Sequence, residues 1–169
     1  MTARKEQLAW VASLLLGVLT LDQAAKAIVR VGLELGTVAR DGVFFQFVHY
    51  RNEGLVGGTF SSFRVVAFIA PPIALAILVY LFRHLEPTSK WQAAAYGAIV
   101  GGALGNITDR LFFGGGTDFL QFNFYFISFD FPWKFFPAFN VADAAIDIGV
   151  VVLIVTWNLG VRKNVSDTV

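Results

Sequence analysis

Cysteine is absent from all 169 residues. The chain therefore forms no disulfide, holds no metal through thiolate, uses no thiol nucleophile and carries no lipid on cysteine. Charge is scarce as well. Charged residues make up 15% of the chain, against about 25% in an ordinary soluble domain. A net charge of +1 gives no footprint for a nucleic-acid partner. What fills the chain instead is apolar: 56% of residues are hydrophobic and mean hydropathy is +0.64. That composition reads as a membrane protein of one integral domain over residues 1–169. There is no internal repeat and no low-complexity tract.

Four apolar segments approach the ~20 residues that cross a bilayer as helix: Leu8 to Ile28, Phe63 to Phe82, Trp91 to Leu111 and Phe136 to Leu159. Arg4 and Lys5 precede the first. Arg83, His84 and Lys90 lie between the second and third, and Arg162 and Lys163 follow the fourth. The positive-inside bias then places both termini in the cytoplasm and the two long connections outside. A competing reading takes the basic start, the apolar run and Ala24 to Ala27 as a cleaved secretory signal. Asp22, Gln23 and Lys26 beside those small residues argue for a retained helix.

The outer connections carry strand patterns. In "FLQFNFYF", Leu120, Phe122, Phe124 and Phe126 alternate with Gln121, Asn123 and Tyr125, the period of a strand with one apolar face. The phase slips near Ile127, where a bend is expected. "GVFFQFVHY", Gly42 to Tyr50, is a second β-prone run. The two are expected to pair into a small sheet at the outer membrane surface, with segments about 38–60 and 117–135. His49 reads as an interfacial polar residue. Gly97, Gly101 and Gly105, four apart, predict a close helix contact, and Pro71 and Pro72 predict a kink in the second helix.

An ionisable group inside a membrane helix costs at least ~2.5 kcal/mol, which makes each one a site candidate. Here they gather at one side. Asp22 ends the first helix, Asn106, Asp109 and Arg110 end the third, Asp118 follows it, and Asn140 and Asp143 begin the fourth; all lie at the outer end. Counted from Phe136 at ~1.5 Å per residue, Asp143 is expected ~10 Å inside its helix. The chain has two histidines, His49 and His84, and His84 falls on the inner side, so a zinc site of two or three histidines is unavailable. Carboxylate is what remains. Two aspartates that share one proton can draw a proton from a water attacking a carbonyl, and Asp118 and Asp143 share the outer mouth of the bundle. A proton or cation path through Asp22, Asp143 and Asp147 is the main rival. It would need polar residues through the whole membrane, and "IGVVVLIVTW" after Asp147 has none that ionise. A non-enzymatic assembly factor is a third reading, and it leaves the aspartates unexplained.

The stretches "LDQAAK", "NEG", "GNITDR", "TDF" and "FPAFNVADAAIDIG", in this order and spacing, resemble the bacterial lipoprotein signal peptidases, signal peptidase II. The resemblance implies four transmembrane helices, a small β-cradle at the outer surface of the bacterial inner membrane, and an aspartic endopeptidase. Its substrates would be diacylglyceryl-modified prolipoproteins, cut before the lipidated cysteine. It implies that Asp118 and Asp143 are catalytic, that Asn52, Asn106, Arg110 and Asn140 bind or orient substrate, and that Asp22, Lys26, Gly54 and Asp109 support the site. No metal or other cofactor is implied. The partners would be membrane lipids and the lipidated substrate, the state a monomer, and the inhibitors globomycin-type cyclic peptides. The run Leu55, Val56, Gly57, Gly58 departs from the family pattern of small residues and then a bulky aromatic.

Four of these residues also have plainer readings. Asp22 and Lys26 are an i,i+4 ion pair, Asp109 alone reads as structural, and Asn140 reads as a helix cap. Asp147, one turn beyond Asp143, is expected to be neutral or hydrogen-bonded to Asn106 or Thr108, and to tune the site without performing the chemistry.

Overall fold

The computed structural model describes residues 2–40, 42, 44–53, 64–124 and 136–166. Four α-helices and three strands follow in the order α1 Thr2–Gly32, β1 Val38–Arg40, β2 Phe45–Asn52, α2 Arg64–Leu81, α3 Lys90–Phe113, β3 Gly116–Phe122 and α4 Val141–Ser166, with a 3₁₀ turn at Phe82–His84 closing α2. Gly54, the run Leu55 to Gly58 and the bend expected near Ile127 lie outside the described residues. α2 stays helical through Pro71 and Pro72.

Among the described residues two helices are long and apolar enough to cross a membrane, Thr2–Gly32 and Val141–Asn158, with mean hydropathies of 1.6 and 1.7. At ~1.5 Å per residue, the 31 residues of α1 outrun a hydrocarbon core of ~30 Å, so its ends reach the interfaces. α3 differs in kind. It is the central helix, packed against both α1 and α4, and Ala93, Ala95, Tyr96, Ile99, Val100 and four glycines of this helix are buried between them or beside them. Small residues set that packing. A Cβ on Gly101 would stand 2.6 Å from the Leu15 carbonyl of α1, and one on Gly102 would stand 2.5 Å from the Ala142 carbonyl of α4. Adjacent glycines thus point to opposite neighbours, and backbone meets backbone on both sides. The close contact expected from Gly97, Gly101 and Gly105 is the α1–α3 crossing.

The strands form an antiparallel sheet in the order β1-β2-β3. β2 opposes β3 as Phe47 with Leu120 but then as Tyr50 with Asp118. Two residues on β2, Val48 and His49, therefore face one on β3, Phe119, which is a β-bulge. Both bulge residues are buried. His49 is not the interfacial residue expected. Its Nδ1–H donates to the Leu33 carbonyl at 2.8 Å, its N–H to the Thr37 carbonyl, and its own carbonyl accepts from Gly36. Gly36 has φ +86°, a left-handed turn that glycine enters without the Cβ penalty. The latch ties the end of α1 to the sheet.

The fourth helix begins later than the hydropathy suggests. Phe136 donates to the Phe122 carbonyl at 2.9 Å, and Phe139 exchanges bonds with Leu120 at 2.8 and 2.9 Å. Residues 136–139 are therefore extended beside β3, with the Phe122 and Phe139 rings stacked 5.7 Å apart. Pro137 has no N–H for a sheet or a helix interior, which suits it to this stretch. Asp143 consequently lies in the first turn of α4, not ~10 Å into a helix.

Gly101→Val should lower the thermal midpoint in detergent by several degrees and loosen the α1–α3 crossing, because the Leu15 backbone cannot yield as a flexible side chain would. The check is a melting curve beside Gly17→Val, where a Cβ meets nothing within 4 Å.

Candidate functional site

Asp22, Lys26 and Arg30 recur every fourth residue on α1 and so share one face. That face meets the polar end of α3. Lys26 is fully buried, and its three donors have three acceptors: Asp22 Oδ2 at 2.8 Å, Asn106 Oδ1 at 3.0 Å and Asp109 Oδ2 at 3.5 Å. The simple i,i+4 pair is present but is one arm of a larger cluster. Arg30 adds a contact to Asp109 Oδ1 at 3.2 Å and to Thr117 Oγ1 at 3.1 Å. Two cations thus balance the carboxylates of Asp22 and Asp109.

Each of those carboxylates also holds backbone. Asp22 Oδ1 accepts from the Ala142 N–H at 2.9 Å, one of the free N–H groups at the start of α4. Asp109 Oδ2 accepts from the Thr117 N–H at 2.7 Å, where the chain enters β3. The cluster fixes the two segments that carry Asp118 and Asp143.

Asn106 relays the order outward. Lysine ammonium has no acceptor, so the oxygen of Asn106 faces Lys26 and its amide N–H faces away. It donates to Asp143 Oδ1 at 2.7 Å. Asn140 caps α4: its Oδ1 accepts from the Asp143 N–H at 3.1 Å, while Asp143 Oδ2 accepts from the Asn140 N–H at 3.1 Å. This is a reciprocal capping box built from Asn and Asp. The Asn140 amide then donates to Asp118 Oδ1 at 2.8 Å and to Asn106 Oδ1 at 3.2 Å. Asn52, at the end of β2, donates to Asp118 Oδ2 at 3.0 Å.

The result is a pair of carboxylates bridged by Asn140, each holding a donor on both oxygens. Asp118 is 4% exposed. Burial, reinforced by the nearby Asp143 charge, pushes its carboxyl from an aspartate's ordinary 3.8 up to about 7. Hydrogen bonds from Asn52 and Asn140, and the Lys26 charge, act the other way and do not cancel it. Two acids arranged in this way can hold one proton between them at neutral pH. Such a pair can activate a water and protonate a carbonyl together.

The structure brings together Asp22, Lys26, Asn52, Asn106, Asp109, Asp118, Asn140 and Asp143. Arg110 donates to the Asn106 carbonyl at 3.0 Å, at the edge of the group. Asp147 lacks the partners expected for it. It is exposed; Asn106 is committed to Asp143, and Thr108 donates to the Leu104 carbonyl of its own helix at 2.8 Å. Sequence reasoning misses three members. Gln23 reaches Asp22, the Gly105 carbonyl and Asp109 at 3.1–3.3 Å, and Arg30 and Thr117 complete the Asp109 site. The spacing Asp22, Lys26, Arg30 is a usable signal for Arg30.

Comparison with known proteins points one way. A family model described as signal peptidase (SPase) II matches residues 14–159. The chain is similar to the lipoprotein signal peptidase of Serratia marcescens, 34% identical over 151 residues, covering 86% of this chain and 82% of the other. It is likewise similar to that of Geobacter sulfurreducens, 37% identical over 150 residues, covering 85% and 88%. Among solved structures, one of a bacterial membrane enzyme superposes with a TM-score of 0.76 at 28% identity, over 90% of each chain.

Two measurements check the geometry. Carbon-13 NMR of labelled aspartate should show one carboxyl titrating with a midpoint near 7, protonated below and ionised above, and Asp118→Asn should erase it. Lys26→Met should destabilise the protein by about 3–5 kcal/mol, the cost of leaving buried carboxylates without their cation. It should also move the Asp118 midpoint upward.

Proposed function

The chain belongs to the signal peptidase II family, and from that premise we propose that Asp118 and Asp143 are the catalytic pair of an aspartic endopeptidase. The protein removes the signal peptide from prolipoproteins. The finer reading is that four helices span the bacterial inner membrane with both termini cytoplasmic, and that a diacylglyceryl-modified substrate is cut before its lipidated cysteine at the outer face. The whole chain is then one protease domain acting as a monomer. The single observation that carries the mechanism is Asn140, whose side chain and backbone N–H hold one oxygen of each carboxylate.

The chemistry follows from one shared proton. Asp118, with a carboxyl that titrates at about 7, holds it and faces the scissile carbonyl oxygen. Asp143 takes a proton from a water as the water oxygen bonds to the carbonyl carbon, and Asp118 protonates the carbonyl oxygen. A neutral gem-diol results. Asp143 then passes its proton to the amide nitrogen, the C–N bond breaks, and Asp118 recovers a proton from a diol hydroxyl. The pair ends as it began. Asn106 and Asn140 keep the carboxylates oriented, and Asn52 and Arg110 stand where the substrate backbone would lie. Lys26, Asp22 and Asp109 act behind them, and the resemblance counts Gly54 with these supporting residues. Globomycin-type cyclic peptides would compete for the same opening.

Asp118→Asn and Asp143→Asn should each abolish cleavage of a lipidated substrate by folded protein, since asparagine keeps the volume but cannot exchange the proton. Normal turnover by either variant would refute the assignment. Activity should fall as pH rises through about 7, where the pair loses its last proton, and a chelator should leave it unchanged.

A further inference from the structure

Two arginines that the mechanism does not use stand on the far face of the sheet. Side chains alternate along a strand, so β3 turns Asp118 to one face and Thr117 to the other. On the first face Asn52 reaches Asp118. On the second, Arg51 of β2 is the register partner of Thr117, which sets their side chains next to each other, and Arg30 Nη1 of α1 donates to the Thr117 hydroxyl at 3.1 Å. Both arginines meet the turn from α3 into β3. The Arg30 guanidinium carbon lies 4.0 Å from the centre of the Phe113 ring. A Cβ on Gly115 would stand 2.9 Å from Cγ of Arg51 and 3.4 Å from its Cδ, so the stem of that side chain lies across the glycine backbone. The two differ in how far they are engaged. Arg30 commits Nη1 to Asp109 and Thr117; its Nη2 and Nε have no partner among the described residues, and its side chain is 19% exposed. Arg51 is exposed and makes no hydrogen bond or ion pair among the described residues. Because Lys26 and Arg30 balance Asp22 and Asp109, the Arg51 charge is in excess. Apolar side chains adjoin these cations in the chain: Ile28 and Val31 on either side of Arg30, and Leu111 and Phe112 just before Phe113, are all exposed.

We propose that this turn, with Arg30 and Arg51 beside it, binds the phosphodiester of an anionic glycerophospholipid from the surrounding membrane, on the face of the sheet turned away from Asp118. Binding there does not require that the protein cleave peptides. A guanidinium presents paired planar donors that match two phosphate oxygens. Arg30 is already oriented by Asp109, Thr117 and Phe113, so little freedom is lost when its outer edge takes a phosphate. A free phosphate would meet the cations but leave Val31, Leu111 and Phe112 uncovered. A glycerophospholipid satisfies both, with its head group on the arginines and its acyl chains on the exposed ends of α1 and α3, in the manner of basic pockets beside membrane helices. The excess positive charge favours a head group with a net negative charge over a zwitterionic one, whose ammonium the arginines repel.

The test uses the purified full chain in detergent and native mass spectrometry, with phosphatidylglycerol, phosphatidylcholine and inorganic phosphate as probes. The wild type should bind phosphatidylglycerol about tenfold more tightly than phosphatidylcholine, the scale of one hydrogen bond to a charged group. Arg51→Gln, which breaks no bond among the described residues, should bring that ratio close to one. Arg30→Lys, which can still pair with Asp109 but lacks the outward donors, should reduce it in part. Arg83→Gln, at the opposite end of the bundle, should leave it as it is. An unchanged ratio in Arg51→Gln overturns the proposal, as does equal binding of the two lipids by the wild type. An equal fall in Arg83→Gln overturns it too, because the preference would then follow overall charge and not this turn. Displacement of the lipid by inorganic phosphate would make the turn a site for free phosphate and would likewise overturn it. Failure of the catalytic reading would be seen separately, as cleavage by Asp118→Asn.

Discussion

A single ammonium group with no access to water organises this protein. Lys26 lies between α1 and α3 with all three donors engaged, and desolvating such a charge costs several kcal/mol unless its partners are close and well aimed. The geometry meets that demand with two carboxylates and one amide. Each partner also holds a second element. Asp22 fixes the start of α4, Asp109 fixes the start of β3, and Asn106 fixes Asp143. The placement of the paired carboxylates of Asp118 and Asp143 is thus a consequence of neutralising one buried cation.

Around that centre, the fold uses ordinary devices at unusual proximity. A capping box normally satisfies two backbone donors at a helix start; here its acidic member is one of the paired carboxylates, and its asparagine has an amide to spare for the other. A bulge in β2 shifts the register by one residue, so that Tyr50 opposes Asp118 and Asn52 opposes Gly116, from where the Asn52 side chain reaches Asp118. The glycines of α3 allow helix backbones to approach within contact on two sides. The short side chains of Asp22 and Asn106 span the distance because the helices are that close.

Much of the site is legible in the chain alone. Carboxylates gathered at one end of apolar segments, in a chain without cysteine and with two histidines, leave little chemistry other than acid and base on oxygen. The motifs single out Asp118, Asp143, Asn106 and Asn140. Hydropathy places Asp143 too deep because Phe136 to Phe139 are as apolar as a helix start, and it does not register that their N–H groups bond to β3. The burial of His49 escapes the sequence for a related reason: its inward turn comes from the bulge, and no local pattern announces an extra residue in a strand. Helical spacing gives Asp147 partners one turn away on α3, yet rotation about α4 carries it past that neighbour to the open side.

The sequence by itself determined the class of protein, the gathering of polar residues at one end of the apolar segments and the close α1–α3 contact, because these depend on composition and spacing along one chain. Only the tertiary structure decided that Lys26 sits behind the pair, that Gln23, Arg30 and Thr117 belong to its setting, and which neighbour the oxygen and the nitrogen of each amide face. Those features are set by distances between residues some 80 positions apart, as Lys26 and Asn106 are. A buried charge accepts whatever partner the packing brings within ~3 Å, and packing is a property of the whole fold.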